Sequence, residues 1–435
     1  MSKPPEDLKT PVYVEIDEDQ CTGCVLCMKA CPTKAIRVKD GRVARIEGIC
    51  IDCGECVRTC TKGAIKATAP KGDDFTTSPD LVISPPTVLY SQFGEDYLPN
   101  DILLGLRKMG FGYVHDQSYT SEMCNFAVEL YIKENRKKPN LLFPLISPAC
   151  PVVVRLISFR FPSLLKHIPP LATPREIVAR EAKKRLSAKN ECSPEEIGVL
   201  HITPCPALAD FAKQSVSQGD SPPMDKAVGI NSIYESLKKN LQEIDDDMVL
   251  HHSSGIGIGW GMSGGEIAGM NRNCLAVSGL HEVIHYLEKI EMGLLQEVDY
   301  IECRICAEGC LGGPFTVADK YQAKHHLQKL VRMFGVERRI KYNYVIKLYK
   351  NGWFFTERDR TAFKDVASPL SIPDRIERLN RVQETLQLLP GKECGVCGSP
   401  DCPTFAEDVV DGKATLEDCI FFHNRKRKTS TRASR

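Results

Sequence analysis

The chain has 435 residues, 42% of them hydrophobic and 26% charged, with a formal net charge of +1 at pH 7. This is the composition of an ordinary soluble protein with apolar material for two to four domains, and its near-balance of charge excludes a broad field for nucleic acid or acidic membranes. The first residues, "MSKPPEDLKTPVYVEID", carry no apolar targeting core, and the longest apolar stretch, "LLFPLISPACPVVV" (141–154), is too short for a membrane span and contains prolines. The expected location is cytoplasmic. In that setting 20 cysteines with recurrent C-x2-C spacing read as metal ligands rather than as a disulfide framework.

Residues 1–68 come first. Short alternating segments, "VYVEI" and "RVARIE", predict strands of a small α+β unit. With them stand Cys21, Cys24, Cys27 and Cys31 in "CTGCVLCMKACP" and Cys50, Cys53, Cys56 and Cys60 in "CIDCGECVRTCT", two copies of C-x2-C-x2-C-x3-C. In that run three closely spaced thiolates wrap one face of a cubane and the fourth reaches across to the other cluster. The spacing therefore assigns Cys21, Cys24, Cys27 and Cys60 to one [4Fe–4S] cluster and Cys50, Cys53, Cys56 and Cys31 to its neighbour. Structural zinc is the competing reading, but zinc takes four ligands per site and not an interlocked eight. Thr61 stands where the first repeat has Pro32, which costs no ligand. Over residues 12–68 the chain resembles a bacterial ferredoxin domain.

Residues 69–80, rich in proline, glycine and polar side chains, read as a linker. From 81 to 340 apolar runs ("LVISPPTVL", "NLLFPLISPACP", "IGVLHITP") alternate with helical patterns ("DILLGLRKMGF", "REIVAREAKKRL"). That alternation predicts an α/β layer structure with parallel strands, whose sites lie at strand carboxyl ends. Cys150 and Cys205 each follow such a run and are flanked by prolines. "CRICAEGC" (303–310) adds Cys303, Cys306 and Cys310. The stretch "GWGMSG" (259–264) fits G-x-G-x-x-G, yet it lacks a strong preceding strand and a ribose-binding acid, so close backbone packing is expected there instead of dinucleotide binding. Cys124, Cys192 and Cys274 are isolated in sequence and stay unassigned, a lone cysteine being more often a small buried hydrophobe than a ligand. His201, His251 and His252 read as structural, with proton donation or iron ligation as the alternative.

In chain order, "SPACPVV", "TPCPALADF" and "YIECRICAEGCLGG" resemble the three signature stretches that hold the active-site cluster in the catalytic large subunit of [FeFe]-hydrogenases. "GFGYVHDQSY", "FPSLLKHIPPLATPREI" and "AVSGLHEVIHYLEKI" fall where that family has similar segments, so the resemblance covers residues 80–335. It implies a hydrogenase-like fold of twisted parallel sheets flanked by helices. It also implies a cubane held by Cys150, Cys205, Cys306 and Cys310, with Cys310 in the place of the cysteine that bridges to the two-iron subsite. Cys303 is additional and an alternative ligand.

The departures bear on function. The resemblance places Ala149 where the family has a proton-carrying cysteine, and a methyl group cannot relay a proton. Leu208 stands where a lysine would hydrogen-bond the cyanide ligands of the two-iron unit. The acids of the family's proton path would fall near Val128 and Tyr131. Because apolar replacements around a metal unit remove what orients and tunes it, the expectation is a cubane without a working diiron site.

Residues 341–389 read as a connecting segment with an amphipathic helix, "SIPDRIERLNRVQETLQLLPG", whose Ile376, Leu379, Val382, Leu386 and Leu389 recur at helical spacing before Pro390 and Gly391. Residues 390–423 form a further cysteine module. Cys394, Cys397, Cys402 and Cys419 follow C-x2-C-x4-C-x16-C, and the segment resembles the small [4Fe–4S] domain of corrinoid-protein subunits and of Rnf-type and sensory hydrogenase-like electron carriers. Phe405, Val409 and Val410 of the intervening helix are expected to pack over the cluster, with zinc as the other reading of four thiolates. Residues 424–435 are a basic tail, expected to be disordered.

Two ferredoxin-type clusters, one central cubane and one C-terminal cubane describe an electron-transfer or redox-sensing subunit with ports at both ends, partnered by a flavoprotein, a ferredoxin or other subunits of an oxidoreductase complex. The alternatives are a functional or sensory [FeFe]-hydrogenase and a reductase that uses an open iron on the central cubane.

Overall fold

The computed structural model describes residues 13–39, 43–69, 81–138, 141–214, 226–242, 244, 247–356 and 371–422. Nearly all of the expected linker and the whole of the expected basic tail lie outside these residues. The chain divides into two units, Met1–Ala67 with Phe363–Arg435, and Thr68–Ala362.

In the first unit the alternating segments form strands as expected. β1 (Val14–Ile16) pairs antiparallel with β4 (Ile65–Ala67), and β2 (Ile36–Lys39) pairs antiparallel with β3 (Val43–Ile46). Two single-turn helices, Leu26–Ala30 and Glu55–Thr59, follow the cysteine loops. Each is entered through a left-handed residue, Val25 at φ 59° and Gly54 at φ 72°, which turns the chain from loop into helix. Val14, Met28, Ile36, Ala44 and Ile65 close a small core with Cys27 and Cys56.

The later part of the same unit contains the helix Ile372–Leu388, capped by the Ser371 hydroxyl, and the helix Cys402–Val410, capped by the Asp401 carboxylate. The apolar stripe of the first helix splits. Val382, Leu386 and Leu389 pack with Phe405, Ala406, Val409 and Cys419, whereas Ile376 and Leu379 stay exposed. The helix Cys402–Val410 spans only nine residues, so its apolar side chains meet only the later half of the longer one, while Arg378 nearer the start pairs with Asp411. Both cysteine-rich ends of the sequence belong to one unit.

The second unit holds β5 (Val82–Ser84), β6 (Tyr113–Val114), β7 (Leu145–Ile146), β8 (Val199–Thr203), β9 (Lys226–Gly229), β10 (Cys274–Ser278) and β11 (Tyr300–Arg304). They form two sheets in the orders β6-β5-β8-β9 and β10-β11-β7, with every pairing parallel. The run "NLLFPLISPACP" yields only Leu145–Ile146, because Pro144 and Pro148 have no N–H to extend the ladder. Ile83, Leu200, Ile202 and Val228 meet Leu103, Leu106 and Leu237 over the first sheet. Leu145 and Tyr300 meet Ile132, Ile177 and Tyr349 over the second. The crossover pattern puts the first residues after β7, β8 and β11 at strand carboxyl ends, and there the three cysteine signatures lie.

Candidate iron–sulfur centres

The N-terminal thiols lie near one another in two neighbouring sets. Burial raises the Cys27 pKa to about 11, and neighbouring Cys24, Cys21 and Cys60 add to the rise through charge repulsion. In the second group burial raises Cys56 to about 12, helped by Cys50 and Cys31. Cys53 is raised by burial and then by Cys31 and Cys56. One cavity is lined by Cys31, Cys50, Cys53 and Cys56 together with Ile36, Ile46 and Ile51. Each of these two groups thus combines three cysteines of one repeat with the fourth of the other. Cys56 also feels Cys27, so the groups are neighbours.

In the second unit Cys150 is the N-cap of the helix Pro151–Arg160, one turn after β7, and Cys205 directly precedes the helix Pro206–Gln214, just after β8. A proline at the first helical position suits both starts, since no N–H is needed there. Cys306 and Cys310 follow β11. Cys306, Cys310 and Cys150 all lie near enough to Cys205 for their charges to act on it: burial raises the Cys205 pKa most, followed by Cys306 and Cys310, and Cys150 acts in the same direction, although among the described residues no three His, Cys, Asp or Glu side chains close to metal-binding distance. The Leu208 backbone N–H opposes the shift by favouring the Cys205 thiolate. All four side chains keep part of their surface uncovered by protein, although burial dominates the ionisation of Cys205 and Cys310. Cys303, on β11, is wholly buried and close to Cys150.

Burial that raises thiol pKa values, as at Cys27 and Cys56, makes poor nucleophiles. A cationic metal group supplies the charge that deprotonates such sulfurs. Sulfur-only donor sets in fours suit iron–sulfur clusters or zinc, and the interlocked N-terminal eight suits the two-cluster arrangement.

Sequence reasoning missed what surrounds the central group. Arg304 is buried between Glu266, at 2.8 Å, and Glu302, at 3.2 Å, with its guanidinium 4.5 Å from the Trp260 ring centroid. Its Nη1 lies 3.9 Å from the Cys310 sulfur. Burial opposes the Arg304 charge, but Glu266, Cys310 and Glu302 outweigh it and raise its pKa. Glu266 also accepts hydrogen bonds from Ser147 and from Tyr300, and the Ser147 hydroxyl receives the Ala149 N–H at 3.1 Å. A second buried guanidinium, Arg175, donates to the Ala149 carbonyl at 3.0 Å. Burial lowers its pKa, and Cys310 and Cys205 are the charges that most oppose this. Its Nε has no partner among the described residues. The sequence signal was weak: Arg304 stands inside the third cysteine signature, but Arg175 lies 25 positions after Cys150, and charged side chains ordinarily read as solvated.

Ala149 and Leu208 are 3% and 2% exposed. Val128 and Tyr131 are buried in the apolar cluster around Leu145 and Tyr300. His201 is buried on β8, and burial, followed by the Arg175 charge, lowers its pKa. His251 is held by Asp116 at 2.8 Å, and His252 is exposed. The glycine-rich stretch packs backbone on backbone beside the cysteines, as expected. The Cys310 N–H donates to the Gly261 carbonyl at 2.9 Å, and Gly309 has φ 73° with a Cβ position only 2.6 Å from the Ser263 nitrogen.

In the C-terminal module burial raises the Cys397 pKa, and Cys419 and Cys394 add to the rise. Cys402 packs with Cys397 and Cys419 around Phe405. Cys124 and Cys274 lie apart, next to carboxylates, with pKa values raised chiefly by burial.

Known proteins agree with this anatomy. Residues 81–274 match the family described as iron only hydrogenase large subunit, C-terminal domain, residues 13–61 the 4Fe-4S dicluster domain, and residues 389–421 the FeS cluster family. The hydrogenase match ends before the third cysteine signature. The NADP-reducing hydrogenase subunit HndD of Solidesulfovibrio fructosivorans is 23% identical over 295 residues, 58% of this chain and 49% of that one. The periplasmic [Fe] hydrogenase large subunit of Nitratidesulfovibrio vulgaris is 23% identical over 208 residues, 44% of this chain and 49% of that one. The chain thus spans about half the length of these curated relatives. The solved [FeFe]-hydrogenase HydA1 from Chlamydomonas reinhardtii superposes with a TM-score of 0.51 at 14% identity, over 67% of this chain and 94% of that one. Fold and cysteine groups together define an iron–sulfur protein with the fold of the [FeFe]-hydrogenase catalytic domain. The chain resembles the large subunit of those enzymes and carries, besides, a 4Fe-4S dicluster domain and an Fe–S domain. Among the described residues no helix is long and apolar enough to cross a membrane.

Proposed function

We propose that this chain is an electron-transfer subunit, with a redox-sensing role open to it, built on a hydrogenase scaffold and holding four [4Fe–4S] clusters without a working diiron unit. Cys21, Cys24, Cys27 and Cys60 would hold one cluster, Cys50, Cys53, Cys56 and Cys31 a second, Cys150, Cys205, Cys306 and Cys310 a third, and Cys394, Cys397, Cys402 and Cys419 a fourth. When bound, such clusters supply one-electron redox stations whose potentials range over roughly −700 to +450 mV. The residues of the chain would keep these stations dry, set their charge and hold the ligand loops.

The observation that carries this reading is the wall of the central group. Where hydrogenase-type chemistry asks for a thiol and an ammonium, the chain has a buried methyl and a buried isobutyl group. Neither holds or moves a proton. The strong cations of the pocket are guanidiniums, which stay protonated and therefore fix charge without relaying protons. HndD is by name a subunit of an NADP-reducing hydrogenase. A multi-subunit redox complex in an anaerobic cytoplasm, with a flavoprotein or ferredoxin as partner, is the matching setting for this chain.

The test is anaerobic purification with the hydrogenase maturation machinery present, followed by iron counting, infrared spectroscopy and H2 assays on one sample. About sixteen irons, with no CO or CN bands and no H2 turnover, are expected for four cubanes. Cyanide bands with further iron would overturn the reading and favour a functional or sensory hydrogenase. A spin signal of the central cluster that changes with an added small molecule would favour the reductase.

A further inference from the structure

The two cysteine-rich ends of the chain meet through a built contact inside their shared unit. Arg37 lies on β2 between Cys31 and Cys50, and Asp408 lies on the helix that begins at Cys402. They are 7% and 2% exposed. Arg37 donates through Nε to one Asp408 oxygen at 2.6 Å and through Nη2 to the other at 3.1 Å. The Ser399 hydroxyl donates to the same carboxylate at 2.6 Å. A buried two-point ion pair is costly to desolvate and more costly to break, so its best-attested use is to specify one arrangement over others.

The backbone continues the contact. The Val38 N–H donates to the Gly398 carbonyl at 2.9 Å. Gly398 has φ 87°, and a Cβ there would lie 2.4 Å from the Val38 carbonyl oxygen, so the loop closes directly on the edge of β2. Lys29 donates to the carbonyls of Glu393 and Pro400, which bracket Cys394 and Cys397. On its own side Lys29 lies between Cys27 and Cys31. Each touching segment therefore lies within a few residues of a cysteine assigned to a cluster.

We infer that the Arg37–Asp408 pair is a latch that positions the Cys394 group against the two N-terminal groups, so that three cluster sites form one relay. The inference rests on the cluster assignment proposed above. Transfer along such a relay is a one-electron exchange, one centre oxidised as its neighbour is reduced, with no bond formed and no proton moved. The electron comes from an external low-potential redox protein, for which dithionite substitutes in the test.

The experiment uses the full chain, loaded with iron anaerobically and reduced with dithionite, and reads spin–spin broadening by electron paramagnetic resonance beside iron content. Cys419→Ser, which removes a ligand of the C-terminal group, is expected to narrow the signals of the N-terminal pair. Asp408→Asn is expected to weaken the same broadening at unchanged iron. Because that variant can also loosen the module itself, Lys29→Met at an exposed position gives a second reading, with partial loss expected and recovery in Lys29→Arg. A wild-type spectrum equal to that of Cys419→Ser plus an unbroadened signal would overturn the relay. Broadening of wild-type strength in both Asp408→Asn and Lys29→Met would overturn the latch. Wild-type protein without iron at the Cys394 group would overturn the cluster assignment together with the relay.

Discussion

Arg175 donates a hydrogen bond of 3.0 Å to the carbonyl of Ala149, so a buried guanidinium holds the backbone of the first cysteine signature from the segment that follows it. The same cation is close enough to Cys205 and Cys310 for their charges to act on it. A fixed positive charge beside a metal–thiolate group favours its reduced, more negative form.

Arg175→Gln should therefore lower the reduction potential of the central cluster by roughly 60 mV or more, the equivalent of a tenfold change in a one-electron equilibrium. Arg175→Lys should recover part of the shift. A redox titration followed by spin resonance checks this, and an unchanged midpoint in the Gln variant would show that the guanidinium acts on the fold alone.

Glu266 accepts from Ser147, Tyr300 and Arg304 in a dry interior. Replacing it with alanine leaves Arg304 short of one counter-charge and strands two hydroxyl donors. The expected cost is about 3–5 kcal/mol. Both tryptophans of the chain, Trp260 and Trp353, lie in the Thr68–Ala362 unit, so denaturant unfolding followed by tryptophan fluorescence reports on that unit directly. A loss below 1 kcal/mol would contradict the network's role.

Gly309 stands between Cys306 and Cys310 with no room for a side chain. On the proposed set of four cubanes, Gly309→Ala should displace the Cys310 loop and remove about four irons of roughly sixteen. Iron analysis of the variant beside wild type measures this. Full iron retention would mean that the loop relaxes without moving its sulfurs.

Asp116 accepts from His251, Tyr90 and Ser118. Burial opposes its charge, yet these hydrogen bonds and the His251 charge hold its pKa below the ordinary carboxylate value. A depressed carboxylate contributes stability that is present above its unfolded pKa, near 3.9, and lost as pH falls through the folded value. Asp116→Asn should therefore be less stable than wild type at pH 7, with the gap narrowing as pH drops below about 4. Paired denaturation curves at each pH test the sign, since acid effects common to both proteins cancel in the difference.

The N-terminal cysteine groups and the parallel α/β unit were legible in the sequence because both are local. A C-x2-C-x2-C-x3-C run sets sulfur spacing within one loop and one helical turn, and alternating apolar runs set strand and helix before any packing. Cys150, Cys205, Cys306 and Cys310 could be grouped only through resemblance, since 160 positions separate the first from the last. Which arginines face those sulfurs, and that Ala149 is tied on one side to Ser147 and on the other to Arg175, was decided by the packing of two separate sheets, one carrying β8 and the other β7 and β11. The meeting of Arg37 and Asp408 was likewise invisible, because 371 positions separate them. The local sequence determines which residues can bind metal and which segments are strand or helix. Burial, which alone makes a charge count, comes from contacts distant along the chain, and only the tertiary structure supplies them.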